Sequence, residues 1–457
     1  MRPLVLLSLV SALTAQEPGF ALEPVVTGLQ EACGMAFAPD GRLFVVERRT
    51  GNVVVVADGA ARGPWATIPV WEDVGARGAI GIAVDPGFLH NGFVYVSHTT
   101  LAAENAIVRL ADVGGQGTQP FLLPPRAPVS FAHNIGPMVF GADGKLYVLN
   151  GDAADLNTPQ DLQSLSGKVW RVETPAGTVP SDNPFPGSYV FSYGHRNAFG
   201  IAVHPTRPDL YQTENGVLLD DEYNRLLPGR NYGWPMHDGR ELTPDPNTED
   251  PIHFFTPQTA PTGCAFASGV LYPPRFQDGW FVGDWVHGDL TFVDLDQNGG
   301  VRGTSLLLHF PGAIYAVADG PDGNLWVLHA TSPGYGADSV SRVVYVQAPR
   351  PSLAMSAVST IAVGGSLTLG ATASNGDIVI TWLGATRLTN GIPSPIGTFF
   401  VPFDAPLPPV TVTADARTYL ALPVPDDSAL RGAAVHAQAA ALGSSTRLTN
   451  PVTLALR

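Results

Sequence analysis

The chain has 457 residues, 45% of them hydrophobic and only 14% charged, a formal net charge of −15, and 50 glycines with 42 prolines. That length exceeds what one hydrophobic core organises and predicts two domains, while short Val/Ile/Leu/Phe/Tyr runs separated by turn residues predict an all-β protein. The acidic balance excludes nucleic acid and anionic membrane surfaces as partners, because both select for clustered Lys and Arg.

Residues 1–15 carry one basic residue, Arg2, then an apolar stretch from Leu4 to Leu13 with small residues at Ser11, Ala12 and Ala15. This pattern predicts a cleaved signal peptide. It is too short to span a bilayer, and no later run approaches the roughly 20 apolar residues that a spanning helix needs. A secreted or periplasmic protein without a membrane span is expected. Cys33 and Cys264 are the only cysteines, which excludes a disulfide-stapled scaffold. Both stand at the start of apolar strands, where buried free thiols are common; export leaves a single bridge open.

From Met35 onward one pattern recurs six times: a strand, a turn built on Pro, Asp or Gly, and a second strand rich in aromatic and β-branched residues. The copies are MAFAPDGRLFVVE from Met35, IAVDPGFLHNGFVYVSH from Ile82, MVFGADGKLYVLNGD from Met138, IAVHPTRPDLYQTE from Ile201, GVLYPPRFQDGWFVGDW from Gly269 and AVADGPDGNLWVLHA from Ala316. A repeat of this period predicts a six-bladed β-propeller in which each copy is the inner hairpin of one blade. Asp-Gly turns suit such hairpins because these residues tolerate positive φ. Pairing of Val343–Val346 with a strand near Val25 and Val26 is expected to close the ring and remove an exposed edge. The propeller is placed at residues 22–348.

Prolines at 349 and 351 mark a linker, after which the composition shifts to Ala, Thr, Ser and Val. Alternating stretches at Ser366–Thr372, Ile378–Trp382, Val410–Thr413 and Val452–Leu456 predict a small C-terminal β-sandwich over 352–457. No His, Asp and Glu cluster there suggests chemistry.

Polar residues just ahead of an inner strand stand over the channel of a propeller. His133 precedes the third copy and can act as a general base. Asp152 closes the same hairpin, and the out-and-back path returns it to the level of His133, where its carboxylate can orient the imidazole. On position alone, a loop histidine bonded to a backbone carbonyl reads equally well. Arg196, in Ser192-Tyr-Gly-His-Arg-Asn197, offers a planar fork of donors for a carboxylate or quinone oxygen, or for loop carbonyls. Asp220, Asp221 and Glu222 repel one another, and a hard cation relieves that repulsion, although a solvated acidic loop has the same composition.

Together, His133-Asn134-Ile135-Gly136, Leu165-Ser166-Gly167-Lys168-Val169, Val179 to Pro184, Tyr193-Gly194-His195-Arg196-Asn197 and Asn231-Tyr232-Gly233-Trp234-Pro235 make the chain resemble the soluble quinoprotein glucose and aldose sugar dehydrogenases. The resemblance covers about residues 25–346. It implies pyrroloquinoline quinone as cofactor, a sugar as small-molecule substrate and calcium as metal. His133 matches the base that takes the proton of the anomeric hydroxyl, and Asp152 its supporting acid. Arg196 and Asn197 match cofactor contacts. Backbone carbonyls of Gly216 and Val217 match the cofactor's calcium site, and Glu222 with the backbone of Tyr232 a structural calcium site. The chain has no Cys-x-x-Cys-His haem motif, so electrons would leave to a separate acceptor.

Four departures stand beside these matches. The family's glutamine falls on Ala76, its cofactor lysine near Val286, and its pair of arginines on Ala313 and Tyr315. Losing cations that would meet the cofactor's carboxylates weakens binding, since charge-assisted bonds are among the stronger ones available. Arg77 and His287 are the nearby candidates to compensate. The same departures support a second reading, a carbohydrate- or protein-binding propeller without the quinone.

Overall fold

Three of the repeated turns show how local chemistry builds the hairpin. Gly41, Gly144 and Gly323 take φ of 90°, 74° and 79°. The aspartate before each accepts the backbone N–H two residues on, at 3.1 Å for Asp40–Arg42, 3.0 Å for Asp143–Lys145 and 3.2 Å for Asp322–Asn324. Only the glycine therefore needs the left-handed conformation; the aspartate contributes an acceptor. The turn carboxylate also reaches the facing aromatic residue, Tyr147 at 2.9 Å and Trp326 at 2.9 Å.

The computed structural model describes residues 17–345, apart from residues 18, 58, 72–75, 218–219, 240–244, 256–257, 269–270 and 332–336, and beyond residue 345 only the backbone of strands between residues 354 and 456. The expected signal peptide and the linker prolines lie outside the described residues. Six four-stranded antiparallel sheets form the blades. Their inner strands are Ala32–Phe37, Ala79–Val84, Ile135–Phe140, Ala198–Val203, Pro261–Phe266 and Ile314–Asp319, and each touches the next around a closed ring. Phe20–Gln30 is the outermost strand of the sixth blade, pairing with Ala337–Tyr345 so that Leu22 faces Val343 and Val26 faces Val340. This is the expected closure.

The fifth copy is a correction. Its inner strand is Pro261–Phe266, upstream of the expected start at Gly269, which falls outside the described residues with Val270. Leu271 and Tyr272 form a bend leading to a 3₁₀ turn at Pro274–Phe276. That connection is apolar because it packs, not because it is a strand. Tyr272 and Phe276 are each 2% exposed in the core shared by the fifth and sixth blades, and the Tyr272 hydroxyl bonds Val343 O at 2.6 Å.

Each inner strand opens with an irregularity in its pairing. Gly34, Gly81 and Gly200 directly after it, and Gly263 within it, let neighbouring blades approach; a Cβ on Gly200 would stand 2.1 Å from Thr262 O and one on Gly34 2.5 Å from Ile80 O. The bulge turns the residue before the glycine toward the axis.

Cys33 and Cys264 are buried and free, and the Cys33 thiol bonds Ala79 O at 3.1 Å. In the C-terminal segment, Ala354–Ala357, Ser366–Thr372 and Arg417–Pro423 form one sheet. A larger sheet contains Ile378–Gly384, Ala434–Leu442 and Val452–Leu456. Strands thus occur at all four stretches predicted there, with Val410–Thr411 at the third.

Candidate active site

The bulged residues Cys33, Ile80, Phe199, Thr262 and Tyr315, one each from five blades, line a cavity of about 440 Å³, with Gly136 in the equivalent place of the third blade. Its walls add Phe131 and Trp285. Polar groups in the lining are Glu31, Arg48, Asn134, Asn197, Asn215 and Thr262. The result is a largely apolar, aromatic slot with amides spaced around it, the usual composition of a small-molecule site.

His133 and Asp152 meet beside this cavity. His133 has φ of 53°, and its carbonyl accepts the Ala153 N–H at 3.0 Å. Gly151 permits this crossing of the loop, since a Cβ there would come within 2.5 Å of His133 O. The His133 Nδ1 lies 2.7 Å from Asp152 Oδ1. Asp152 is 1% exposed, and its remaining capacity is filled by the Ala154 N–H at 2.7 Å and the Trp234 Nε1–H at 2.8 Å. A carboxylate surrounded by donors needs a donor from Nδ1 as well, which leaves Nε2 of His133 as an acceptor. The His133 side chain is 18% exposed, so that nitrogen remains approachable.

The fourth blade supplies the support behind this pair. The Asp152 N–H donates to Arg196 O at 2.8 Å. Arg196 donates from Nη1 to Asn215 O at 2.8 Å, and its guanidinium lies 5.5 Å from the Trp234 ring centroid. Trp234 therefore touches both Asp152 and Arg196. Trp234 is held in turn by Gln160, which donates to Trp234 O at 2.7 Å and to Asn231 Oδ1 at 3.0 Å. Trp234 N–H to Gly194 O at 3.0 Å and Tyr232 N–H to Tyr193 O at 2.8 Å lace the two family-like segments together. Gly194 lies so close to this segment that a Cβ would approach Asn231 Oδ1 to 2.2 Å. Lys168 is buried and donates to the carbonyls of Thr158, Pro159 and Ser166 at 2.7–3.0 Å, and burial pushes its ammonium down to about 7.

Of the sequence candidates, Asn197 lines the cavity, while His133, Arg196, Gly216 and Val217 stand outside the lining. The Gly216 carbonyl accepts from Gln258 at 3.0 Å, and the Val217 N–H donates to the Asp238 carboxylate at 3.2 Å. The expected compensation by Arg77 and His287 is corrected. Arg77 donates from Nε to Ser130 O at 2.9 Å and stacks over Trp71 at 4.0 Å, and neither it nor His287 lines the cavity. Arg48 does, paired with Glu31 and donating to Arg77 O at 3.1 Å. Arg48 and the bulge residues Ile80, Phe199 and Thr262 were missed by the sequence reading, and Trp234 was noted only as part of a motif, without its bond to Asp152. The residue immediately before an inner-strand glycine was the available signal for the bulges.

Asp221 and Glu222 part company. The Asp221 carboxylate is committed to the N–H groups of Gly216 at 3.0 Å, Thr259 at 2.6 Å and Ala260 at 2.7 Å. Glu222 instead faces Glu214 across the strand pair, beside Gln212 opposite Asn224, so four oxygen-bearing side chains share one face. Gln212 Oε1 and Asn224 Oδ1 are buried without a hydrogen-bond partner among the described residues. Burial first, and the charge of Glu214 second, push the Glu222 carboxyl up to about 8. Such a donor set suits a hard cation. The Tyr232 hydroxyl is turned away, bonded to Arg225 O at 2.6 Å and to the Leu227 N–H at 2.9 Å, and its ring stacks on His195 at 4.7 Å. Only its backbone is left to join the cluster.

The model of the glucose/sorbosone dehydrogenase family matches residues 29–336. The aldose sugar dehydrogenase YliI of Escherichia coli is 28% identical over 359 residues, covering 73% of this chain and 95% of that protein. A Synechocystis protein, slr1608, is 30% identical over 360 residues, covering 70% and 86%. Among solved structures, the PQQ-bound aldose sugar dehydrogenase of Streptomyces coelicolor superposes with a TM-score of 0.64 at 30% identity, covering 72% of this chain and 99% of that one.

Proposed function

The chain belongs to the glucose/sorbosone dehydrogenase family, and from that premise we propose that it is an oxidoreductase that oxidises an aldose, or a related sugar or alcohol, with pyrroloquinoline quinone in the central cavity. The observation that carries this reading is the His133–Asp152 pair at 2.7 Å, held on the buried carboxylate's other sides by Ala154 and Trp234. Bound in the cavity, the quinone would supply a two-electron acceptor for the hydride of the substrate carbon.

The side chains do the rest. Nε2 of His133 takes the proton of the substrate hydroxyl as the hydride leaves. Asp152 keeps Nδ1 protonated, fixes the ring plane and stabilises the imidazolium that results, the division of labour of a general base and its orienting acid. Phe131, Phe199, Trp285 and Tyr315 give a flat aromatic ring apolar neighbours and reduce water around it. Asn197 offers an amide donor to a quinone's oxygens, whereas the Thr262 hydroxyl already donates to Ile314 O at 2.7 Å. Among the described lining residues Arg48 is the only cation for its carboxylates, so the slot suits the ring system better than its charge. Calcium is the metal we assign to Glu222 with Glu214 and the backbone of Tyr232, and a second ion to the carbonyls of Gly216 and Val217 at the cofactor.

Export, a propeller over 22–348 and an accessory β-sandwich over 352–457 complete the proposal, with a separate electron acceptor. Among the described residues no helix is long and apolar enough to cross a membrane. The test is titration of calcium-loaded protein with pyrroloquinoline quinone, followed by dye reduction with a panel of aldoses and a His133→Ala control. Saturable binding with aldose-dependent turnover lost in the control is expected. No binding at high quinone concentration would instead make this a propeller that binds without oxidising.

A further inference from the structure

The turn between the second and third strands of the fifth blade carries Asp284, His287 and Asp289, whose ligand atoms all lie within 4.8 Å of one another. Trp285, in the same turn, walls the cavity and packs edge-on against Tyr315 at 5.3 Å. We propose that this turn is a binding site for a borderline divalent transition ion such as Zn²⁺, held by Asp284, His287 and Asp289 at the rim of the cavity.

The ligand types are the first argument. Imidazole with two carboxylates suits zinc, nickel or copper, whereas calcium prefers an all-oxygen set. Pre-organisation is the second. Asp284 is 6% exposed, and its Oδ1 is fixed by the N–H groups of His287 at 2.6 Å and Gly288 at 3.1 Å. Asp289 is fixed from the neighbouring strand, where His309 stands directly opposite and places Nδ1 at 2.8 Å from Asp289 Oδ1. A histidine on a ligating carboxylate is an outer-shell partner that orients it. His287 is the movable member: its side chain is 50% exposed, with Nδ1 at 3.8 Å from Asp284 Oδ1. Ligands about 2.0–2.2 Å from a tetrahedral ion stand roughly 3.4 Å apart, so a small rotation of His287 closes the set.

Occupancy would tie the two strands together through the turn that presents Trp285. It would also place positive charge beside Val286, where the family resemblance puts a cation. The site itself does not depend on the proposed cofactor.

The experiment uses the full chain, stripped with a chelator and reloaded with calcium, then titrated with Co²⁺ as a spectroscopic probe and with Zn²⁺ by calorimetry. One saturable equivalent with a visible d–d band is expected, together with a Zn²⁺-dependent rise in melting temperature. His287→Ala and Asp289→Asn should each weaken binding at least about tenfold and abolish the melting shift, and His309→Ala should weaken it less. These residues are at least partly exposed, so circular dichroism without metal should match the parent. Absence of saturable binding, or binding that His287→Ala and Asp289→Asn leave unchanged, would overturn the site.

Discussion

The two sides of the cavity are built differently. On the side of the third and fourth blades, His133, Asp152, Arg196 and Trp234 are linked by hydrogen bonds of 2.7–2.8 Å and a cation–ring contact, and Asp152 is 1% exposed. On the side of the fifth, sixth and first blades, the lining includes Ala260, Thr262, Trp285, Tyr315 and Cys33, with one arginine already paired to Glu31. The first side carries the pair proposed to handle a proton. The second, where the family resemblance expects cations, has apolar or neutral residues at Val286, Ala313 and Tyr315. On the proposed reading, the difference teaches that proton handling and anion binding fall to different blades and can be tested separately.

The largest effect should come from the organised side. His133→Ala is expected to lower turnover on the order of 10³-fold while leaving quinone affinity unchanged. Dye reduction and quinone titration on the same preparation check it; an equal loss of affinity would erase the division between the two sides. Asp152→Asn should cost on the order of 10²-fold in kcat, because an amide toward Nδ1 allows the wrong tautomer. KM should move little.

The opposite side should respond by gaining affinity. Arg at position 313 together with Arg at 315, as Ala313→Arg and Tyr315→Arg, restores donors for the quinone carboxylates. At about 1.5–3 kcal/mol per bond to a charged group, each arginine that forms one should tighten quinone binding roughly ten- to a hundredfold. Equilibrium titration measures this, and unchanged affinity would mean that the carboxylates lie elsewhere.

The same contrast explains what was legible in the sequence. Hairpin turns are local, so Asp40-Gly41, Asp143-Gly144 and Asp322-Gly323 announced three blades directly. His133 and Asp152 were legible because one hairpin returns the chain to its starting level. The fifth blade slipped because Leu271, Tyr272 and Phe276 are apolar for packing below the blade, and an apolar run alone does not distinguish that from a strand. Arg77 was misassigned because only three-dimensional structure reveals that Trp71 and Ser130 take up its guanidinium. Trp234 and Arg48 reach their partners across 82 and 17 residues, a relation that no spacing rule reports.

Acid provides the finest test, through a buried imidazole at the cavity end of the second blade. His98, at the cavity end of the second blade's second strand, is 4% exposed, and burial pushes its imidazole down to about 4 from 6.5. The unfolded chain therefore binds a proton more readily than the folded one between those values. Stability is complete above pH 6.5 and falls as the pH drops toward 4, by at most about 1.4 kcal/mol per pH unit. His98→Phe should flatten that fall in a melting-temperature series from pH 7 to pH 5. A fall as steep as the parent's would mean that the protons that destabilise the fold bind elsewhere.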